Sequence, residues 1–374
     1  MGTARLIIAD SEKNANLYYA TRFLAPDPFI FAQFDRHRVI VMSDLEVDRA
    51  KTQAKVNEVL SYSKLARQAK QALGKEPSMM DVVGELLKSH AVAQVDVPMD
   101  FGVAYADALR KRGFTVEPKP EPFFPERMIK SEEEIALLTE SLRITEDALA
   151  SAIELIANSD IASDGTLRLA GKSLTVELLR KTMHLTMMER ECVAQHTIIA
   201  PGVQAVDPHN EGSGPLRANE PIVMDVFPQH ARSRYFADMT RTVVRGKASD
   251  KVRRMFDAVK EGQEIAYRMI KDGVDGMTVH NAITKSFDSL GFTTGEQNGR
   301  MQGFFHGTGH GVGLEIHEPP RVSGKSDILK AGMVVTVEPG LYYLDAGGIR
   351  IEDMVVVTPT GCRLLTQAHK ILEV

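Results

Sequence analysis

The 374-residue chain has no tryptophan, two cysteines (Cys192 and Cys362) and no excess of positive charge. Two thiols in so long a chain are too few for a disulfide framework, which fits a reducing compartment and makes the cytoplasm the expected location. A net charge of −5 gives no electrostatic case for nucleic acid or an anionic membrane. No apolar run approaches membrane-spanning length. The start, MGTARLIIADSEKN, has only a short apolar stretch with Asp10 and Glu12 behind it, unlike a signal peptide. What remains, 43% hydrophobic and 25% charged, is the composition of a soluble globular protein. Its length predicts two domains. Seventeen scattered methionines read as core filler.

Residues 4–9 and 38–42 are short apolar runs bounded by turn or charged residues, hence buried strands, with a third strand at Phe29–Phe31. Helical spacing follows at Met80, Val83, Leu86 and Leu87, and again around Tyr105 and Leu109. An α/β domain is expected, with no concentrated catalytic chemistry; His37 reads as a surface or packing residue. Glu117–Pro125 (EPKPEPFFP) holds four prolines in nine residues and reads as a stiff extended linker. Ser131 and Glu134 then have capping-box spacing, ahead of an apolar stripe at Ile135, Leu138, Leu142, Leu149, Ile153 and Ile156. A long helix therefore opens a second domain near residue 130.

The chemistry concentrates beyond that point. Gly303–Pro320 (GFFHGTGHGVGLEIHEPP) sets His306, His310 and His317 among glycines that allow close backbone approach. Pro221–Phe227 is a strand-like run holding Asp225, and Ala237–Val244 is another holding Asp238. A hairpin would bring the two aspartates to one face. Helices are expected from Ser249 to about Asp272 and over Thr278–Leu290, the second carrying His280 on its surface. The pattern then repeats: Glu338 in Val334–Tyr342, a turn at Asp345–Gly348, and Glu352 in the return strand Ile349–Val357. Carboxylates inside apolar strands are costly unless paired or bound to a cation. Four carboxylates with a histidine suit two divalent ions such as Mn²⁺, Co²⁺ or Zn²⁺ better than a structural zinc site.

These motifs resemble the pita-bread metallopeptidases, the family of prolidase (Xaa-Pro dipeptidase), aminopeptidase P and methionine aminopeptidase. The carrying stretches are PHNEGSG at 208–214, MDVF at 224–227, ADMTRT at 237–242, HGTGHGVGLEIHE at 306–318, TVEPGLY at 336–342 and GIRIEDMVVV at 348–357. The resemblance implies an α+β protein: a creatinase-like α/β domain over 1–126, then a pita-bread catalytic domain over 127–374 with two pseudo-symmetric halves. Methionine aminopeptidases lack the first domain. By position, Asp225, Asp238, His310, Glu338 and Glu352 match the family's metal ligands for two ions, Mn²⁺ or Co²⁺ before Zn²⁺, with Asp238 and Glu352 bridging. Glu338 also matches the general base, His317 the group that stabilises the tetrahedral intermediate, and His209 and His306 histidines near the substrate and its proton path. Arg321 matches an arginine for the substrate's free carboxylate, and Arg350 one that orients the site. The activity implied is hydrolysis of Xaa-Pro peptides, with a dipeptidase favoured through Arg321 and an aminopeptidase P as the alternative. A non-catalytic pita-bread binding module is the remoter alternative, disfavoured because all five ligand positions are kept. A homodimer is implied, with neither nucleic acid nor membrane as partner. One departure stands out. The commoner pattern has glycine where this chain has Phe227, and a shorter loop than Pro228–Tyr235, so substrate preference is expected to differ.

Overall fold

In strands β1 (Gly2–Ala9), β2 (Phe29–Phe34) and β3 (His37–Met42), alternate apolar residues serve two separate cores. Leu6, Ile30, Ala32 and Val41 enter one, and Ile7, Phe29, Phe31, Ile40 and Met42 enter the other. Both faces are therefore covered, as the continuous apolar runs require. Asp35 takes a left-handed φ of 51° in the two-residue turn between β2 and β3, which aspartate tolerates. With β4 (Glu58–Ser61), β5 (Val92–Pro98) and β6 (Thr115–Lys119) the sheet has the order β4-β3-β2-β1-β5-β6. β1–β2 and β2–β3 are antiparallel and the remaining pairs parallel. Helices α1 (Ala15–Thr21) and α2 (Val47–Gln53) cover the aromatic-rich face. α3 (Tyr62–Leu73), α4 (Met79–Ser89) and α5 (Val103–Arg110) cover the other.

The structure, a computed structural model, describes residues 2–374 and separates into two compact units, one ending at Arg127 and the other spanning Met128–Val374. The proline-rich stretch is not a free spacer. Its start is edge strand β6, where Pro118 needs no ladder donor. Phe123 and Phe124, 3% and 0% exposed, pack beside Phe31 in the first unit's core. Two aromatic rings supply more burial than a linker would forgo.

In the second unit, α6 (Glu132–Ala157) starts at a capping box formed by Ser131 and Glu134 and buries Ile135, Leu138, Leu142, Leu149 and Ile156, with α7 (Val176–Met188) against it. An antiparallel sheet follows, with β8 (Pro221–Val226) between β7 (Ile198–Pro201) and β9 (Met239–Val244). The plan then repeats. Helices α8 (Asp250–Met269) and α9 (Gly276–Ser289) pack on strands β10 (Gly309–Gly311), β11 (Glu318–Val322), β12 (Val334–Val337), β13 (Gly340–Tyr343), β14 (Gly347–Arg350), β15 (Asp353–Val357) and β16 (Cys362–Leu364). Five of these form an antiparallel sheet of order β11-β10-β12-β15-β16, and β13 pairs with β14.

Three boundaries differ from expectation. α8 stops at Met269, because Ile270 leaves helical backbone to bury its side chain, and Asp272 accepts the Ala331 N–H instead. α9 starts two residues early, at Gly276, where a Cβ would lie 2.5 Å from the Arg321 carbonyl oxygen. The apolar runs through Glu338 and Glu352 are each broken at the carboxylate, dividing β12 from β13 and β14 from β15. Among the described residues no helix is long and apolar enough to cross a membrane.

Candidate metal centre

Asp225 sits in β8 directly opposite Thr240 in β9, and Asp238 precedes β9 by one residue. The register sets both aspartates on one face of the hairpin. His310 lies in β10 beside a bulge and turns Nε2 toward Asp238 Oδ2 (3.5 Å) and Glu338 Oε1 (3.3 Å). Its Nδ1 lies 3.2 Å from the Gly311 carbonyl oxygen, so Nδ1 carries the proton and Nε2 offers a lone pair. Single donor atoms of Asp238, His310 and Glu352 lie within 4.8 Å of one another.

The electrostatics are unbalanced. Burial, then repulsion from Glu352, Asp225 and Glu338, pushes the Asp238 carboxyl well above its ordinary range. Burial and then Glu338 and Asp225 do the same to Glu352. Burial lifts Glu338 to about 7, against the opposing pull of Arg350. Burial, then His317, holds His310 near 3, so its ring is neutral. Asp225 Oδ2 takes a 2.7 Å ion pair from Arg350, but its buried Oδ1 has no hydrogen-bond donor. Crowded carboxylates, an inward lone pair and an orphaned oxygen together fit divalent cations held by Asp225, Asp238, His310, Glu338 and Glu352.

The remaining expected residues divide between rim and interior. A cavity of about 630 Å³ is lined by the five residues above together with His209, His306, His317, Arg321 and Arg350. His209, His317 and Arg321 are exposed. The His317 ring packs edge-on to His310 at 4.3 Å, and the partial desolvation of this otherwise exposed residue within the cleft, then the Arg321 charge, lowers its pKa. The Arg321 guanidinium is held by no ion pair or side-chain hydrogen bond among the described residues. His306 and Arg350 line the cavity, but protein partners take up their polar atoms. His306 Nδ1 lies 2.8 Å from Gly307 O and Nε2 lies 2.9 Å from the Tyr342 hydroxyl. Arg350, 4% exposed, donates to Asp225, to Tyr342 Oη (2.9 Å) and to Thr240 Oγ1 (3.3 Å). Tyr342 thus accepts from Arg350 and donates to a neutral His306, whose pKa burial and Arg350 hold near 3. Arg350, expected to orient the site, lines the cavity but spends its guanidinium on the Asp225 carboxylate, leaving Arg321 as the cleft arginine with a free guanidinium among the described residues.

Phe227 joins Ile198, Phe305 and Ile316 as the apolar part of the lining and packs on Ile198, Ala200, Ala205 and Val223. The longer loop behind it is anchored: Gln229–His230 pairs with Cys192–Val193, and the buried Tyr235 donates to Glu134 at 2.5 Å. His280 is not a helix-surface residue. It is half-buried, 3.0 Å from Thr308 Oγ1 and stacked obliquely on Phe304, because close packing of α9 turns it inward. Tyr342, Thr240 and Gln263 escape the sequence reading. Only Gln263 leaves a signal, as a polar residue four after Val259 on the apolar face of α8.

The profile of metallopeptidase family M24 matches residues 136–359. The Xaa-Pro dipeptidase of Pyrococcus furiosus is 36% identical over 246 residues, 65% of this chain and 64% of that protein. The chain thus matches just under two thirds of that relative's length. An X-Pro aminopeptidase from Thermotoga maritima superposes on all of this chain and 98% of its own with a TM-score of 0.82 at 24% identity. A Xaa-Pro dipeptidase from Bacillus anthracis covers 99% of this chain and 95% of its own, also at 0.82, with 22% identity. These two structures share the fold of both units, a creatinase-like domain followed by a pita-bread domain. With the profile covering more than half of the chain and both halves of its carboxylate cluster, the protein belongs to metallopeptidase family M24.

Proposed function

We propose that the protein is a dinuclear-metal peptidase that hydrolyses Xaa-Pro bonds, and specifically a Xaa-Pro dipeptidase. The observation that carries this reading is the convergence of three buried carboxylates, a partly buried one (Glu338) and one neutral histidine on a cleft with an arginine exposed at its rim. Asp225, Asp238, His310, Glu338 and Glu352 would hold two divalent ions, with Mn²⁺ or Co²⁺ favoured by the oxygen-rich donor set. Bound there, such ions supply a Lewis acid for the scissile carbonyl and make water a stronger nucleophile.

The chain's own groups do the rest. Glu338, which lines the cleft beside His310, is placed to take a proton from the attacking water and return it to the departing proline nitrogen. His317 stands at the rim to donate to the developing oxyanion. Arg321, lining the same cavity, offers a fork-shaped cation to a free C-terminal carboxylate, which in a dipeptide sits on the residue next to the scissile bond. Ile198, Phe227, Phe305 and Ile316 give the pyrrolidine ring an apolar seat. The imino nitrogen carries no N–H, so the seat needs no acceptor for it. The P. furiosus relative's name supports the dipeptidase form, and the T. maritima neighbour's the aminopeptidase form. Metal-loaded protein should cleave Ala-Pro faster than Ala-Pro-Ala. Cleavage of the tripeptide alone would shift the assignment to an aminopeptidase, and cleavage of neither with Mn²⁺, Co²⁺ or Zn²⁺ would end the peptidase reading.

A further inference from the structure

One gap in the second unit's strands falls at the metal centre. Val337 of β12 faces Asp353 of β15, and Gly340 of β13 faces Arg350 of β14. Each strand advances three residues between these pairs, so one register runs through the gap and nothing is inserted. In a closed ladder Glu338 and Glu352 would be direct cross-strand partners. Instead their amides turn away, Glu338 N–H to Thr308 O (2.7 Å) and Glu352 N–H to Thr240 O (3.0 Å). Pro339 has no N–H to give.

The carbonyls that precede the two glutamates are claimed by one side chain. Gln263, at 0% exposure on α8, directs Nε2 to Val337 O (2.9 Å) and Ile351 O (3.0 Å), with Asp353 Oδ2 at 3.3 Å. Three oxygens converge on this end of the amide, so it must be the nitrogen. The other end, Oε1, is buried without a donor. An unsatisfied buried carbonyl is a cost that an apolar residue of the same size would avoid, so packing alone does not account for glutamine here.

We propose that Gln263 is a positioning residue: it holds open the strand gap and thereby sets where Glu338 and Glu352 present their carboxylates. The inference rests on the metal-centre reading of the site. The test strips the full-length chain of metal and titrates it with Co²⁺, followed by calorimetry and by the visible absorption of bound cobalt. Gln263→Met and Gln263→Leu keep an apolar side chain of similar size and remove the donor. Both should bind Co²⁺ about 10–100-fold more weakly, the usual cost of losing a group that orients ligands, and shift the cobalt bands. In Ala-Pro hydrolysis kcat should fall while KM stays near the wild-type value. A folded variant with wild-type cobalt affinity and bands overturns the proposal, whatever its melting temperature. If neither variant folds, the wild type labelled with ¹⁵N-glutamine decides. The Gln263 side-chain amide should resist solvent exchange and move when Zn²⁺ is added; free exchange, or no movement, overturns the proposal. Wild-type protein that takes up no Co²⁺ removes the metal-centre reading and this one together, whereas wild-type uptake with unchanged variants removes only the role of Gln263.

Discussion

Arg321 and Arg350 line the same cleft and are suited to opposite tasks because their surroundings differ. Arg350 is buried, and its guanidinium is spent on Asp225, Tyr342 and Thr240. Arg321 is exposed, pairs in the backbone with His310, and keeps its charge available. A charged hydrogen bond contributes roughly 1.5–3 kcal/mol, or about a 10–150-fold change in an equilibrium constant. Arg321→Met should therefore raise KM for Ala-Pro by about that factor, with kcat changed only a few-fold, in steady-state assays across dipeptides. An unchanged KM would remove Arg321 from substrate recognition. The candidate ligands were legible because each puts a carboxylate or imidazole where the local pattern predicts an apolar or glycine-rich segment. Tyr342 was not, because tyrosine is ordinary in a strand and only the folded chain shows that its hydroxyl joins Arg350 to His306.

At the scale of elements, strand β11 carries Glu318 and Arg321 and follows directly on His317. It is tied to the entrance of α6 by a buried ion pair, Lys130 Nζ to Glu318 Oε1 at 2.6 Å, with both side chains at most 3% exposed. Removing one partner strands a buried charge, which costs about 3–5 kcal/mol, whereas replacing both is often nearly neutral. Lys130→Met should lose about that much stability in urea unfolding, and Lys130→Met with Glu318→Leu should recover most of it. Equal losses in the single and double variants would show that the pair is not what ties these elements. The capping boxes, the helix stripes and the alternating strands could be read from local spacing. The strand breaks at Glu338 and Glu352 could not, since the amides there bond to Thr308 and Thr240, 30 and 112 residues away in sequence. The proline-rich stretch misled for a related reason: its prolines suggest a spacer, but Phe123 and Phe124 decide where it packs.

For the whole molecule, the site makes the metal-free protein's stability depend on pH. Asp238, Glu352 and Glu338 have pKa values raised by burial, so the folded state binds more protons than the unfolded one and stability falls as pH rises. His306 and His310 act oppositely, because their lowered values make stability rise with pH, but only up to about 6.5, where unfolded histidine is itself neutral. Between about pH 7 and 8 the carboxylates dominate, and toward about 8.5 the two thiols, also raised by burial, add a fall of the same sign. Metal-free protein should lose melting temperature across that window, and added divalent metal should restore more of it at the upper end, as binding to the folded state alone requires. A flat or rising profile without metal would mean that the carboxylates are already relieved within the protein. The two-unit plan and the repeated helix-pair-and-sheet halves follow from patterns that extend over many residues, which is why they could be read at that scale.

The most direct test of the central claim is a calorimetric titration of metal-free protein with Co²⁺, with Ala-Pro hydrolysis measured at each addition. The cluster of Asp225, Asp238, His310, Glu338 and Glu352 predicts two ions bound per chain and activity that appears as they bind. Binding of no ion, or full activity in the rigorously metal-free protein, would contradict it.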